Sequence, residues 1–324
     1  MNPRRCFACA VLGAAVLVQN TPVRAQGTND RLVSYAAAST PATPCVRGGV
    51  RGAALWDKAR YPEARRLCGL LLLGNARLRD EPEMARDLGL EAAELAPDRA
   101  EPWVLVARAQ VLLGEPSLAS TSFERALRLD AAALDAPNVL LAAARAEVQR
   151  GNSTRALEHY RRLAPRVSLL SDGRERQKAL IEASLVAQVV SPESYPEARA
   201  YAVEARRSGA LFFTEFSRAV LALALDRAGR SGEARALAAE AEGPWALRWL
   251  IEGEPEPRGR ATELRPVLPP GEQEALVAIL AEPVDRELAR DAWSSYLERA
   301  KSAATPYPPH LVEHAARRLR ELGG

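Results

Sequence analysis

Beyond residue 60, apolar residues recur three and four positions apart in short runs broken by Gly and Pro. Period 3.6 places such positions on one face of a helix. The clearest run is Ala100 to Ala133, two short amphipathic helices joined at Gly114-Glu115. Trp103, Val106, Ala107 and Gln110 share a face of the first, and Ala119, Phe123 and Ala126 share a stripe of the second. Alternation of large and small side chains suits helices that pack closely, since small residues let two axes approach to about 8–10 Å.

The pattern repeats. Leu140, Ala143, Ala144, Glu147, Gly151, Ala156 and Tyr160 follow the same spacing after three extra residues, Leu134 to Ala136. Leu221, Ala222, Leu225, Gly229, Ala234 and Ala238 give another unit at about 215–243. Ala85 and Ala92 mark a worn copy upstream, and Tyr195, Ala198, Ala202 and Ala205 a second helix downstream. Glu272–Leu280 and Asp285–Ala300 predict a further pair with Ala289, Trp293 and Tyr296 on its stripe, and His310–Leu322 a final capping helix. Few segments show β-branched alternation, so the fold class is all-α.

Trp103, Gly114, Ala119, Phe123 and Ala126 fall where the tetratricopeptide repeat has Trp, Gly, Ala, an aromatic residue and Ala, and the chain resembles that family over about residues 60–303. Val106, Ala107 and Gln110 depart mildly from the pattern, and Ala131 stands where Pro is common. The resemblance implies a right-handed α-solenoid of stacked antiparallel helix pairs, with the first helices lining a concave groove. It also assigns Trp103, Phe123, Tyr160 and Trp293 to the core. By position, groove residues are Glu101, Val104, Arg108, Val111, Asn138, Leu141, Arg145, Val148 and Phe216, the last followed along its own helix by Ala219, Leu223 and Asp226. Arg108 and Arg145 hold equivalent positions and are expected to stand above one another, ready to receive a carboxylate or acidic side chains. Val104 and Arg108 do not match the Lys and Asn of chaperone-tail-binding members, so that ligand is not implied.

Charge alters the picture at the N-terminus. Residues 1–25 combine Arg4-Arg5, an apolar run from Cys6 to Val18 and small residues before Gln26, the layout of a secretory signal peptide cut after Ala25. Arg4, Arg5 and Phe7 only faintly resemble a twin-arginine signal. Without that segment basic and acidic side chains balance, which argues against nucleic acid or an anionic membrane surface as main partner. A periplasmic or secreted location follows, with no transmembrane segment expected in the mature chain. Residues 26–45 read as a flexible leader, 46–251 as the repeat array, 252–270 as a Pro-rich loop and 271–324 as a C-terminal pair with a cap. Cys45 and Cys68 leave a disulfide open.

Catalytic chemistry has one candidate. His310-Leu-Val-Glu313-His314 matches the inverted zinc-peptidase string, two His on one helix face with Glu as base. Only ten residues follow His314, which leaves no downstream third ligand. The leading expectation is therefore a non-enzymatic scaffold without cofactor, metal or catalytic residues, docking a protein or peptide partner in the assembly of a cell-envelope complex. A metal-dependent hydrolase and an architectural spacer without groove ligand are the alternatives.

Overall fold

The structure, a computed structural model, describes residues 62–208, 213–240, 268–269, 271–303 and 306–323. The export segment, the leader, Cys45 and nearly all of the Pro-rich loop lie outside the described residues. Cys68 is disulfide-bonded; the other cysteines, Cys6, Cys9 and Cys45, all lie before the described residues.

Among the described residues there are thirteen α-helices and two short 3-10 segments, at Ala164–Leu169 and Pro192–Ser194. The first four helices are α1 (Pro62–Arg77), α2 (Pro82–Leu95), α3 (Ala100–Leu112) and α4 (Pro116–Leu129). Then come α5 (Pro137–Gln149), α6 (Ser153–Leu163), α7 (Gly173–Val190) and α8 (Tyr195–Arg207). The C-terminal part holds α9 (Thr214–Arg227), α10 (Ser231–Ala239), α11 (Glu272–Ala281), α12 (Arg286–Ser302) and α13 (Pro309–Gly323). Their starts follow from sequence. Pro sits in the first turn of α2, α4, α5 and α8, where its missing N–H costs nothing. Asn152, Asp172 and Asp285 cap α6, α7 and α12 by accepting backbone N–H bonds.

The turns inside three of the pairs share one hydrogen-bond pattern. Gly114, Gly151 and Gly229 have φ of 72°, 76° and 78°. The following N–H reaches back to the carbonyl five residues earlier: Glu115 to Gln110 (2.9 Å), Asn152 to Glu147 (2.8 Å), Arg230 to Leu225 (2.9 Å). This is the Schellman stop, which needs a left-handed residue. A Cβ on Gly114 would meet nothing within 4 Å, so only the backbone opposes substitution. Gly114→Ala is expected to destabilise by about 1–2 kcal/mol, and Gly114→Asn by less. Urea unfolding of both variants checks this.

The chain forms an all-α stack of sequential antiparallel helix pairs. Each helix packs on the next described one, and first helices meet across units, α1 on α3, α3 on α5, α7 on α9 and α9 on α11. Close approach is made by alanine: Ala85, Ala92, Ala119, Ala126, Ala156 and Ala198 are fully buried. At Gly89 an added Cβ would come within 3.3 Å of the Val106 backbone nitrogen. Of the four aromatic residues expected in the core, Phe123, Tyr160 and Trp293 are buried. Trp103 differs: it is half-buried, and the Arg125 guanidinium stacks 3.8 Å above its ring.

Candidate functional site

Where α3, α5 and α7 face one another lies a cavity of about 390 Å³, within the range of small-ligand and peptide pockets. Val111 and Leu141, spaced on α3 and α5 by the same helical period, supply apolar wall together with Ala142. Leu112 and Leu169 stand at its edge with 52% and 67% of their surface exposed. The cationic side chains are Arg79, Arg108, Arg145, Arg174 and Lys178, against the carboxylates of Asp172 and Glu175. The site thus combines an apolar wall with a lining in which cationic side chains outnumber carboxylates.

Five of the nine residues assigned to the groove line this cavity: Arg108, Val111, Asn138, Leu141 and Arg145. Val104 and Val148 are buried in the central apolar cluster, and Phe216 in the C-terminal one. Glu101 sits in the first turn of α3, ion-paired with Arg99. The two arginines do not stand as an open pair. Arg108 Nη1 donates to Asn75 Oδ1 at 2.8 Å. Arg145 donates from Nε and Nη2 to both oxygens of Glu182 (3.0 and 2.9 Å), and its Nη2 also lies 2.6 Å from Glu175 Oε1. Tyr160 donates its hydroxyl to the same Glu182 carboxylate. Burial works against the charged guanidinium, but Glu182 and Glu175 outweigh it and raise the Arg145 pKa. Burial likewise opposes ionised Glu175, yet Arg145 and Lys178 pull its pKa below the usual carboxylate value.

Sequence reasoning missed the 3-10 segment Ala164–Leu169, which carries Leu169 to the cavity edge. Pro165 was its one local signal. It also missed that Glu175 and Glu182 of α7 pair with Arg145 of α5, in the preceding unit.

The histidine string of α13 turns partly into the fold. His314 is buried, and its Nε2–H donates to Asp226 Oδ2 at 2.7 Å. Asp226, expected in the groove, is itself fully buried and lies 3.4 Å from Arg318 Nε. Arg318 also binds Glu282, which accepts the Trp293 indole N–H. His310 meets the Gln188 carbonyl at 3.4 Å, while Glu313 is exposed. Among the described residues no three His, Cys, Asp or Glu side chains gather as a metal would need. The string tethers α13 to α9 and α7.

Burial lowers the His314 pKa, with Asp226 only partly opposing it, and burial also lowers that of His159. In the unfolded chain both titrate near about 6.5. Below that pH the unfolded state binds more protons, so stability is expected to fall as pH drops from 7.5 through the folded values. Glu282, pushed up by burial, works in the opposite sense at lower pH. His314→Gln should flatten the slope of thermal midpoint against pH between 7.5 and 5.5 relative to the unmodified chain. An unchanged slope would show that His314 does not titrate differently on folding.

No family model matches the chain, and no curated protein matches it. A solved structure titled as a functional characterisation of Pseudomonas aeruginosa pilF aligns with 81% of this chain and 100% of its own, at 15% identity and a TM-score of 0.43.

Proposed function

We propose that this chain is a non-catalytic tetratricopeptide-type scaffold of the periplasm or extracellular space. Its cavity between α3, α5 and α7 holds a protein or peptide partner with acidic groups, in the assembly of a cell-envelope complex. The observation that carries this reading is the cavity itself: groove positions of successive units converge on one pocket with exposed leucines and surplus cations. The disulfide at Cys68 supports an oxidising compartment. The sequence of residues 1–25 supports export, with the mature chain starting at Gln26. No described helix is long and apolar enough to cross a membrane. The hydrolase alternative is weakened because His314 spends its Nε2 on Asp226 inside the fold.

A photo-crosslinking residue in place of Leu112 tests the groove in intact cells, with one at Leu118, exposed on α4, as comparison. Capture of a defined partner at Leu112 and not at Leu118 is expected. Capture at Leu118 alone would favour a spacer that works through its outer helices. Edman sequencing of the purified protein tests export; an uncleaved Met1 would refute it.

A further inference from the structure

Arg145 faces two carboxylates of unequal standing. Glu182 is fully buried, holds the guanidinium through two parallel bonds and takes a third from Tyr160. Such a fork-to-fork pair fixes the arginine in place. Glu175 has nearly a quarter of its side chain exposed, lines the cavity and touches only the Nη2 that Glu182 already uses. It belongs to the first turn of α7, where a carboxylate is favoured by the helix dipole. Lys178, one turn further on, also attracts it, as does Arg79 across the cavity. Swinging away from Arg145 therefore leaves Glu175 near other cations. One carboxylate is structural, and the other sits where the cavity meets solvent.

Resting on the groove reading above, we infer that Glu175 occupies from within the chain the seat that a partner's carboxylate takes on Arg145. The occupant is a short acidic peptide segment with an apolar side chain beside its carboxylate. The apolar group lies against Val111, Leu141 and Ala142, the carboxylate reaches the Nη2 of Arg145, and Glu175 swings aside. Charge complementarity chooses this occupant: five cations line the cavity, against Asp172 and Glu175 along the lining and Glu182 beneath Arg145. Glu175 is thus a built-in competitor that sets the threshold for binding and disfavours uncharged segments.

The test uses the full mature chain and two fluorescent, end-blocked peptides, Gly-Glu-Leu-Glu-Gly and its twin Gly-Gln-Leu-Gln-Gly, followed by anisotropy. Glu175→Gln is expected to tighten the Glu peptide about five- to tenfold, the scale of a regained charge-assisted bond, without tightening the Gln peptide. Asp172→Ser removes another cavity carboxylate while keeping a capping side chain, and is expected to gain no more than about twofold through general charge. Equal gains in the two variants would overturn the seat on Arg145. No gain in Glu175→Gln would overturn it too, as would absence of Glu-peptide binding at millimolar concentration by both the unmodified chain and that variant. In each of these cases partner capture at Leu112 decides separately whether the groove reading stands. Thermal midpoints of both variants verify that the fold is kept.

Discussion

Arg227→Met is expected to remove about 3–5 kcal/mol from the C-terminal half, the usual cost of stranding one member of a buried ion pair. Arg227 and Glu272 are essentially without solvent contact, and two bonds of 2.8 and 2.9 Å join them across 45 residues of sequence. Burial disfavours the charged guanidinium, Glu272 outweighs it, and the Arg227 pKa is raised. Methionine fills much of the arginine volume, so the loss comes chiefly from a carboxylate left in a dry site. Gln188 Oε1 loses its 3.2 Å donor as well. The double change Arg227→Met with Glu272→Leu should recover much of the loss, because the stranded charge goes too. Hydrogen exchange is the suitable measurement, since repeat arrays open unit by unit. Amides of α11 to α13 should lose protection while those of α3 to α6 keep theirs. Uniform loss along the chain would refute this localisation.

Trp293→Ala is expected to be of similar size, about 3–5 kcal/mol, typical of a large aromatic side chain deleted from a core. The ring has no exposed surface. It meets His314 edge-on at 5.4 Å and Tyr296 at 6.1 Å, and its indole donates to Glu282 at 3.2 Å. The deletion removes packing and also one partner of a carboxylate that Arg318 and α13 rely on. Detachment of α13 should precede global unfolding, seen as protease cleavage near the C-terminus under otherwise native conditions. Trp103→Ala is the contrast: its half-buried ring is expected to cost less than Trp293, and the ranking is checked by denaturant titration of both variants.

These two tryptophans show what the sequence made legible. Both occupy an aromatic position of a helical stripe, and local periodicity cannot separate them. Their difference lies in the neighbours that arrive from distant parts of the chain. Features decided within one turn were readable: the left-handed glycines at 114, 151 and 229, the prolines opening helices, and the alanine contacts. The cavity was half readable. Val111 and Leu141 follow from helical register, whereas Leu169 depends on a 3-10 segment that only tertiary packing fixes. The fate of the arginines was not readable. Which carboxylate meets Arg145 or Arg227 depends on how units stack, and the matching residues lie 37 and 45 positions away. The two histidines of α13 mislead for the same reason, since Asp226 is 88 residues before His314.

Buried polar bonds sit at successive places along the stack; two are forked Arg–Glu pairs set at different positions of their helices, and the others differ in kind. Ser120 and Arg150 share Glu147 between α4 and α5; Arg145 meets Glu182 between α5 and α7; Arg227 meets Glu272 between α9 and α11; His314 and Arg318 meet Asp226 where α13 joins. Alanine stripes alone would let any unit follow any other, because their contacts are interchangeable. These differently placed polar joints act as keyed couplings. A chimera that exchanged two units would bring a lone carboxylate or guanidinium to each new junction, so the linear order of the array is written into its interior.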